Sequence, residues 1–66
     1  MKITLNGKET NIQNQKSIRE LLQDLKIQPE LVALELNQTI VRRKDFALTP
    51  IAEGDKIEIL QMIGGG

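Results

Sequence analysis

Alternation of apolar and polar residues at the start of the chain predicts a β-hairpin. Ile3 and Leu5 occupy alternate positions, as in a strand that buries one of its faces. Asn6-Gly7 follows, and this pair favours a two-residue hairpin turn because both central residues of a type I′ turn need a positive φ. The returning strand is expected over residues 8–12. It is less apolar than the first, which indicates a place at or near the edge of the sheet.

The next segment carries the pattern of one amphipathic helix. Ser17 and Glu20 have capping-box spacing, in which each side chain accepts a hydrogen bond from the other residue's backbone N–H. Lys26 is expected in the last turn, where a cation suits the helix dipole, and Pro29 prevents continuation. The apolar residues follow the i, i+3, i+4, i+7 spacing of a single stripe: Ile18, Leu21, Leu22 and Leu25.

Short apolar runs in the second half of the chain predict further strands. Residues 31–36 are too few for a helix and indicate a buried strand, with Glu35 facing solvent and Val32, Leu34 and Leu36 facing inward. The remaining expectations are a turn at Asn37-Gln38, a strand over Thr39–Val41, a charged loop over Arg42–Asp45, an irregular edge over Leu48–Ile51 caused by Pro50, a turn at Glu53–Asp55, and a final strand over Lys56–Ile63.

This order of elements predicts an α+β fold in one domain, residues 1–66. A mixed sheet of four to five strands would pack on one α-helix, and the final strand would pair in parallel with the first at the sheet centre. This is the ubiquitin-like β-grasp arrangement, with a flexible tail over residues 63–66. The helix stripe is expected to pack on Ile3, Leu5, Val32, Leu34, Ile57 and Ile59.

Composition excludes several classes of function. The 66 residues contain no cysteine, histidine, tryptophan or tyrosine, so thiolate sites, the usual general base and most aromatic stacking platforms are missing. Nine basic residues balance nine acidic ones, which gives no net field for nucleic acid or an anionic membrane. Asp45, Glu53 and Asp55 are better explained as turn residues than as metal ligands. We therefore expect no catalytic residue, no metal site and, without a leader or membrane span, a cytoplasmic protein.

The chain ends in Gly64-Gly65-Gly66 directly after the final strand pattern. Glycine lacks a Cβ, so such a tail can lie extended in a channel too narrow for other residues. The carboxylate of Gly66 is sterically bare and ionised at neutral pH, and it could attack an activated phosphate. A disordered terminus is the competing interpretation of the same three residues.

The chain resembles the ThiS family of sulfur carriers of thiamine biosynthesis. The resemblance covers essentially the whole chain and rests on its length, on the order of its elements, and on three short motifs: Leu36-Asn37, Glu53-Gly54-Asp55-Lys56-Ile57, and the glycine end that follows Met62-Ile63. The minimal end of the family is a glycine pair, whereas this chain carries three glycines.

The resemblance implies a substrate protein and not an enzyme. An adenylyltransferase of the ThiF type, similar to ubiquitin-activating enzymes, would use ATP and magnesium to convert the Gly66 carboxylate to an acyl-adenylate. Sulfur from a donor protein would then form a thiocarboxylate on Gly66, and a thiazole synthase of the ThiG type would accept it. The carrier itself would need no cofactor, and it would bind neither nucleic acid nor membrane.

Alternation through Ile57 and Ile59 sends Leu60 and Met62 to the face opposite the helix. Together with Ile63, they are expected to form a docking surface beside the tail. Arg42, Arg43 and Lys44 could dock on an acidic patch, although such loops are more often simply solvated.

Three alternative functions remain open at the level of sequence. A carrier that supplies sulfur to molybdopterin uses the same carboxylate chemistry. A ubiquitin-like modifier would instead form an isopeptide bond to a lysine, and a β-grasp interaction module would have an inert terminus. The glycine tail does not distinguish them.

Overall fold

One α-helix lies across one face of a five-stranded mixed sheet. The fold is seen in a computed structural model that describes residues 1–13 and 15–61. Its elements are β1 (Lys2–Leu5), β2 (Lys8–Asn11), α1 (Ile18–Asp24), β3 (Val32–Leu36), β4 (Thr39–Val41) and β5 (Lys56–Gln61), with 3₁₀ segments over Pro29–Leu31 and Arg43–Leu48.

The strand order is β2-β1-β5-β3-β4, which confirms the predicted topology. β5 pairs in parallel with β1 and antiparallel with β3, so the last strand of the chain occupies the middle of the sheet. β2 and β4 form the two edges, and the edge position of β2 confirms the prediction made for the less apolar second strand. A strand with neighbours on both sides is held firmly.

Both hairpins close through two-residue turns with positive φ at each central residue. Asn6 and Gly7 have φ of 50° and 82°, and Asn37 and Gln38 have φ of 51° and 72°. Positive φ at both positions is the type I′ geometry, whose twist matches that of the flanking strands. The first turn was predicted on its Asn-Gly pair, and the second is confirmed although Gln38 is an unusual residue for this conformation.

The helix begins as predicted but ends differently. The Ser17 side chain accepts from the Glu20 N–H and the Glu20 side chain from the Ser17 N–H, at 3.2 and 2.8 Å. The prediction that Lys26 lies in the last turn is wrong, because α1 ends at Asp24 and its last turn contains no basic residue. Lys26 has φ of 58° and follows the helix. The N–H groups of Lys26 and Ile27 bond the carbonyls of Gln23 and Leu22, which closes a Schellman motif.

The predicted strand over residues 31–36 is one residue shorter than expected. Leu31 belongs to the 3₁₀ turn that begins at Pro29, and it is 48% exposed. Proline suits the first position of such a turn because its φ is fixed and its missing N–H needs no partner. The charged loop is in fact the start of the second 3₁₀ segment, and Pro50 forms only an isolated bridge with Ser17, in agreement with an irregular edge.

The core lies between α1 and the sheet. Ile18, Leu21 and Leu22 of the predicted stripe are buried, whereas Leu25 at the helix end is 40% exposed. Of the sheet residues expected beneath them, Leu5 and Ile59 are half-buried and the rest are buried. Three residues that periodicity did not assign complete the cluster: Ile12, Phe46 and Ile51.

Candidate docking face and carrier terminus

The central strand β5 leads directly toward the glycine end. Gln61 is its last residue. The predicted reactive Gly66, the tail residues Gly64 and Gly65, and the predicted docking residues Met62 and Ile63 lie outside the described residues. The structure therefore shows how β5 is held before these residues, and on which face of the sheet the Leu60 side chain lies.

Asn6 holds the middle of β5 from the β1 side. Its backbone N–H donates to the Ile57 carbonyl at 2.9 Å, and its side-chain Oδ1 accepts from the Ile59 N–H at 2.7 Å. The β1–β5 ladder itself pairs Thr4 with Lys56 and Leu5 with Ile57. The Asn6 side chain thus extends this ladder beyond the point where the main chain turns away into the hairpin.

Asn37 holds the start of β5 from the β3 side. Its side chain accepts from the Lys56 N–H at 2.9 Å and donates to the Asp55 carboxylate at 3.0 Å, while its N–H donates to the Lys56 carbonyl at 2.7 Å. Asp55 also accepts from the Ala52 N–H at 2.7 Å. A turn asparagine from each hairpin therefore fixes the central strand, an arrangement that sequence reasoning missed. In the sequence, only the Leu36-Asn37 and Gly54-Asp55 motifs indicated this arrangement.

Leu60 points away from the helix, as alternation predicted. It is 54% exposed and lies opposite Ala33 of β3, on the face that α1 does not cover. Ile40 of β4 lies on the same face and is 68% exposed. It pairs with Glu35 of β3, which pairs with Glu58 of β5, and Glu58 shares the face of Leu60. Two large apolar side chains thus lie open to solvent near the strand that leads to the tail.

Carboxylates separate these apolar side chains. Glu58 of β5 lies directly opposite Glu35 of β3 on the open face. Like charges in directly opposed positions repel, which costs a fraction of a kcal/mol in an isolated sheet. The open face therefore combines apolar area at Leu60 and Ile40 with charged side chains.

A second apolar surface lies on the helix side of β5, beside Ile59 and Gln61. A depression of about 370 Å³ ends at Gln61 and is bordered by Asn6. The apolar residues that line it come from the sheet and from the chain around the end of α1: Leu5, Leu25, Ile27, Val32 and Ile59. Ile59 and Gln61 are the β5 residues that line this depression.

The acidic residues of the last turn accept hydrogen bonds from backbone N–H groups and from the Asn37 side-chain amide. Glu53 accepts from the Lys2 N–H at 3.0 Å, and Asp55 accepts from Ala52 and Asn37. Across residues 1–13 and 15–61, no group of three or more possible metal ligands comes together. The same ranges contain no helix long and apolar enough to span a membrane.

The sequence and the fold match known proteins over their full extent. The ThiS family model matches residues 3–66. The chain belongs to the ThiS family. The sulfur carrier protein ThiS of Escherichia coli is 33% identical over 66 residues, which is the whole of both chains.

A solved structure and a longer relative extend this result. The crystal structure of a thiamine biosynthesis protein (ThiS) from Geobacter metallireducens is 38% identical, with a TM-score of 0.87 and full coverage of both chains. A thiazole synthase of Paramagnetospirillum magneticum is also 38% identical over 66 residues, but the chain spans only 20% of that relative's length. The ThiS structure has the same β-grasp fold, which agrees with the fold class predicted from the sequence.

Proposed function

We propose that the chain is a sulfur carrier of thiamine biosynthesis whose reactive group is the carboxylate of Gly66. Membership of the ThiS family carries this proposal, because the family model includes the glycine end. The similarity over the whole length to a protein named as a sulfur carrier supports it. The chain would act as the substrate of other proteins and not as an enzyme.

Adenylation is the proposed first step. One Gly66 carboxylate oxygen attacks the α-phosphorus of ATP, and the bond from that phosphorus to the pyrophosphate breaks. The products are the acyl-adenylate of Gly66 and pyrophosphate. A carboxylate oxygen is a poor leaving group, whereas AMP is a good one, so this step prepares the carbonyl carbon for substitution.

Sulfur transfer is the proposed second step. If sulfide is the nucleophile, a C–S bond forms, the C–O bond to AMP breaks, and AMP leaves with the electron pair. If a donor protein supplies a persulfide, the product is an acyl disulfide, and a thiol must then reduce its S–S bond to release the thiocarboxylate. A thiazole synthase would accept the sulfur, which is in line with the thiazole synthase that contains a similar segment.

The adenylating partner, an enzyme of the ThiF type, would hold the carrier on the open sheet face. Leu60 provides exposed apolar area on the strand that leads to the tail, and buried apolar anchors commonly dominate binding energy. Met62 and Ile63 would continue that contact toward Gly66. The partner would supply ATP and magnesium, and we propose a cytoplasmic location because this chemistry consumes ATP.

Two changes at the terminus test whether Gly66 is the reactive group. Deletion of Gly66 shortens the tail, and an alanine appended after it adds a Cβ beside the carboxylate. Both variants should keep the fold and the melting temperature of the unchanged carrier, because the core lies within residues 3–57. Both should lose pyrophosphate release with an adenylyltransferase of the ThiF type.

The unchanged carrier, assayed in parallel, shows that the enzyme is active. Full pyrophosphate release by the alanine-extended variant would show that the native carboxylate position is not required. Adenylation without thiocarboxylate formation would favour a protein modifier, and no adenylation of any form would favour an inert interaction module.

A further inference from the structure

A basic depression lies between α1 and the second 3₁₀ segment. It has a volume of about 320 Å³, and three exposed cations line it: Arg19 of α1, and Arg43 and Lys44 of the 3₁₀ segment. Arg42 belongs to the same charged run in the sequence but does not line the depression. The fold thus brings together cations that are 24 residues apart in the chain, a grouping that the sequence alone does not show.

Hydrogen bonds fix the two segments that carry these cations. The Ile18 N–H donates to the Thr49 carbonyl at 2.9 Å, and the Ile51 N–H donates to the Lys16 carbonyl at 2.8 Å. Phe46 is buried in the core and also lines the depression. The backbones of α1 and of the 3₁₀ segment therefore have a fixed relative position without a bound ligand.

The cations of the depression have no ionic partner among residues 1–13 and 15–61. The ion pair found there is Lys16 with Asp24. Glu30 lines the depression as well, yet it lies beyond ion-pair distance of Arg19, Arg43 and Lys44. The whole chain has no net charge, so this excess of positive charge is a local feature. Repulsion among the gathered cations decreases when an anionic group binds.

We propose that this depression, the basic pocket, binds acidic side chains of a partner protein. Its cations are exposed, and one carboxylate paired with an exposed cation contributes only about 0–1 kcal/mol. Useful affinity therefore requires several carboxylates on one scaffold, which an acidic protein segment provides and a small free anion does not. Pro29, Phe46 and Ala47 add apolar contact for the stems of such side chains.

The basic pocket lies on the helix side of the sheet, whereas Leu60 points to the opposite face. An acidic partner and a protein bound at Leu60 can therefore contact the carrier at the same time. Binding of acidic side chains here depends on α1 and the 3₁₀ segment and not on the chemistry proposed for Gly66.

A peptide titration tests the basic pocket. The probe is a hexaglutamate peptide at low ionic strength, followed by amide chemical shifts of the full chain. Shifts should concentrate at Arg19, Arg43, Lys44 and their neighbours, and binding should weaken as salt is added. The double variant Arg19→Gln/Arg43→Gln should bind about tenfold more weakly, which corresponds to the loss of two exposed ion pairs.

The matched control removes two cations elsewhere. Lys8→Gln/Lys56→Gln changes the net charge equally, lies outside the pocket and should alter affinity by less than about twofold. Melting curves verify that both double variants fold. Equal weakening in both would assign the binding to net charge and overturn the pocket, as would absence of shifts in the unchanged carrier. Inorganic phosphate that reproduces the peptide's shifts at equal anionic charge would overturn the assignment to a protein segment.

Discussion

Two asparagines show how single residues of this chain serve both a turn and a strand. Asn6 and Asn37 each adopt positive φ in a type I′ turn and direct a side-chain oxygen to a backbone N–H of β5. The turn conformation at Asn6 could be predicted from its Asn-Gly pair. Its hydrogen bond to Ile59 could not, because the two residues are 53 positions apart and meet only after the sheet has formed.

Substitution of Asn6 by glycine separates these two contributions. Glycine accepts the same positive φ, so Asn6→Gly should keep the turn and lose only the bond to the Ile59 N–H. We expect a loss of about 1 kcal/mol in the free energy of unfolding, measured by denaturant titration. Hydrogen exchange at the Ile59 amide should become faster.

Gln38→Gly is the matched control for that change. Gln38 has φ of 72° in the second hairpin, and its side chain makes no hydrogen bond within the part of the chain that the structure describes. Replacement by glycine removes backbone strain and should be neutral or stabilise by up to about 1 kcal/mol. Equal stability of the Asn6 and Gln38 variants would contradict the role of the Asn6 side chain.

At the scale of elements, the helix and the sheet were predictable wherever periodicity was strong. The capping box fixed the start of α1, and alternation assigned the inward residues of β3 and β5. The end of α1 was not predictable, because Lys26 is a poor residue for a left-handed position and only the Schellman closure places it there. Leu31 was wrongly assigned to the following strand because it is apolar, whereas it belongs to the 3₁₀ turn that begins at Pro29.

The helix stripe should dominate the stability of the domain. Leu22 is fully buried between α1 and the sheet, and Leu22→Ala should cost about 2–5 kcal/mol in the free energy of unfolding. A small domain has little stability in excess, so this variant should be close to unfolding at room temperature. The exposed Leu48, at 79% exposure, supplies the control, because Leu48→Ala should change stability only slightly. A melting temperature of Leu22→Ala equal to that of the unchanged chain would show that the stripe does not support the core.

At the scale of the whole molecule, the sheet has one face covered by α1 and one face left open. The exposure of Leu60 followed from alternation along β5, and the topology followed from the order of elements. Ile12, Phe46 and Ile51 were not assigned to the core, because none of them belongs to an apolar periodic pattern. Ile12 ends a mainly polar strand pattern, Phe46 lies in a 3₁₀ segment, and Ile51 follows Pro50. The basic pocket was likewise hidden, since it joins α1 to a segment that follows two further strands.

Leu60 on the open face is expected to contribute to partner binding. Leu60→Asp should fold like the unchanged carrier, because a carboxylate at this 54% exposed position remains hydrated. It should bind the adenylyltransferase at least about tenfold more weakly, a loss of about 1.4 kcal/mol or more that fits an apolar anchor. Leu48→Asp introduces the same charge at an exposed site on the 3₁₀ segment and should leave this affinity nearly unchanged. An unfolded Leu60 variant, or one adenylated as fast as the unchanged carrier, would contradict docking at this face.

The intact mass of the chain after reaction tests directly whether Gly66 carries sulfur. The carrier is incubated with ATP, magnesium, a sulfur donor and an adenylyltransferase of the ThiF type, and a parallel sample lacks ATP. We expect one oxygen of the Gly66 carboxylate to be replaced by sulfur only when ATP is present, and fragmentation should place the change on Gly66. An unchanged mass, in a reaction that loads an established ThiS protein, would show that Gly66 does not carry sulfur. A covalent adduct with another protein would show that the chain is a modifier instead.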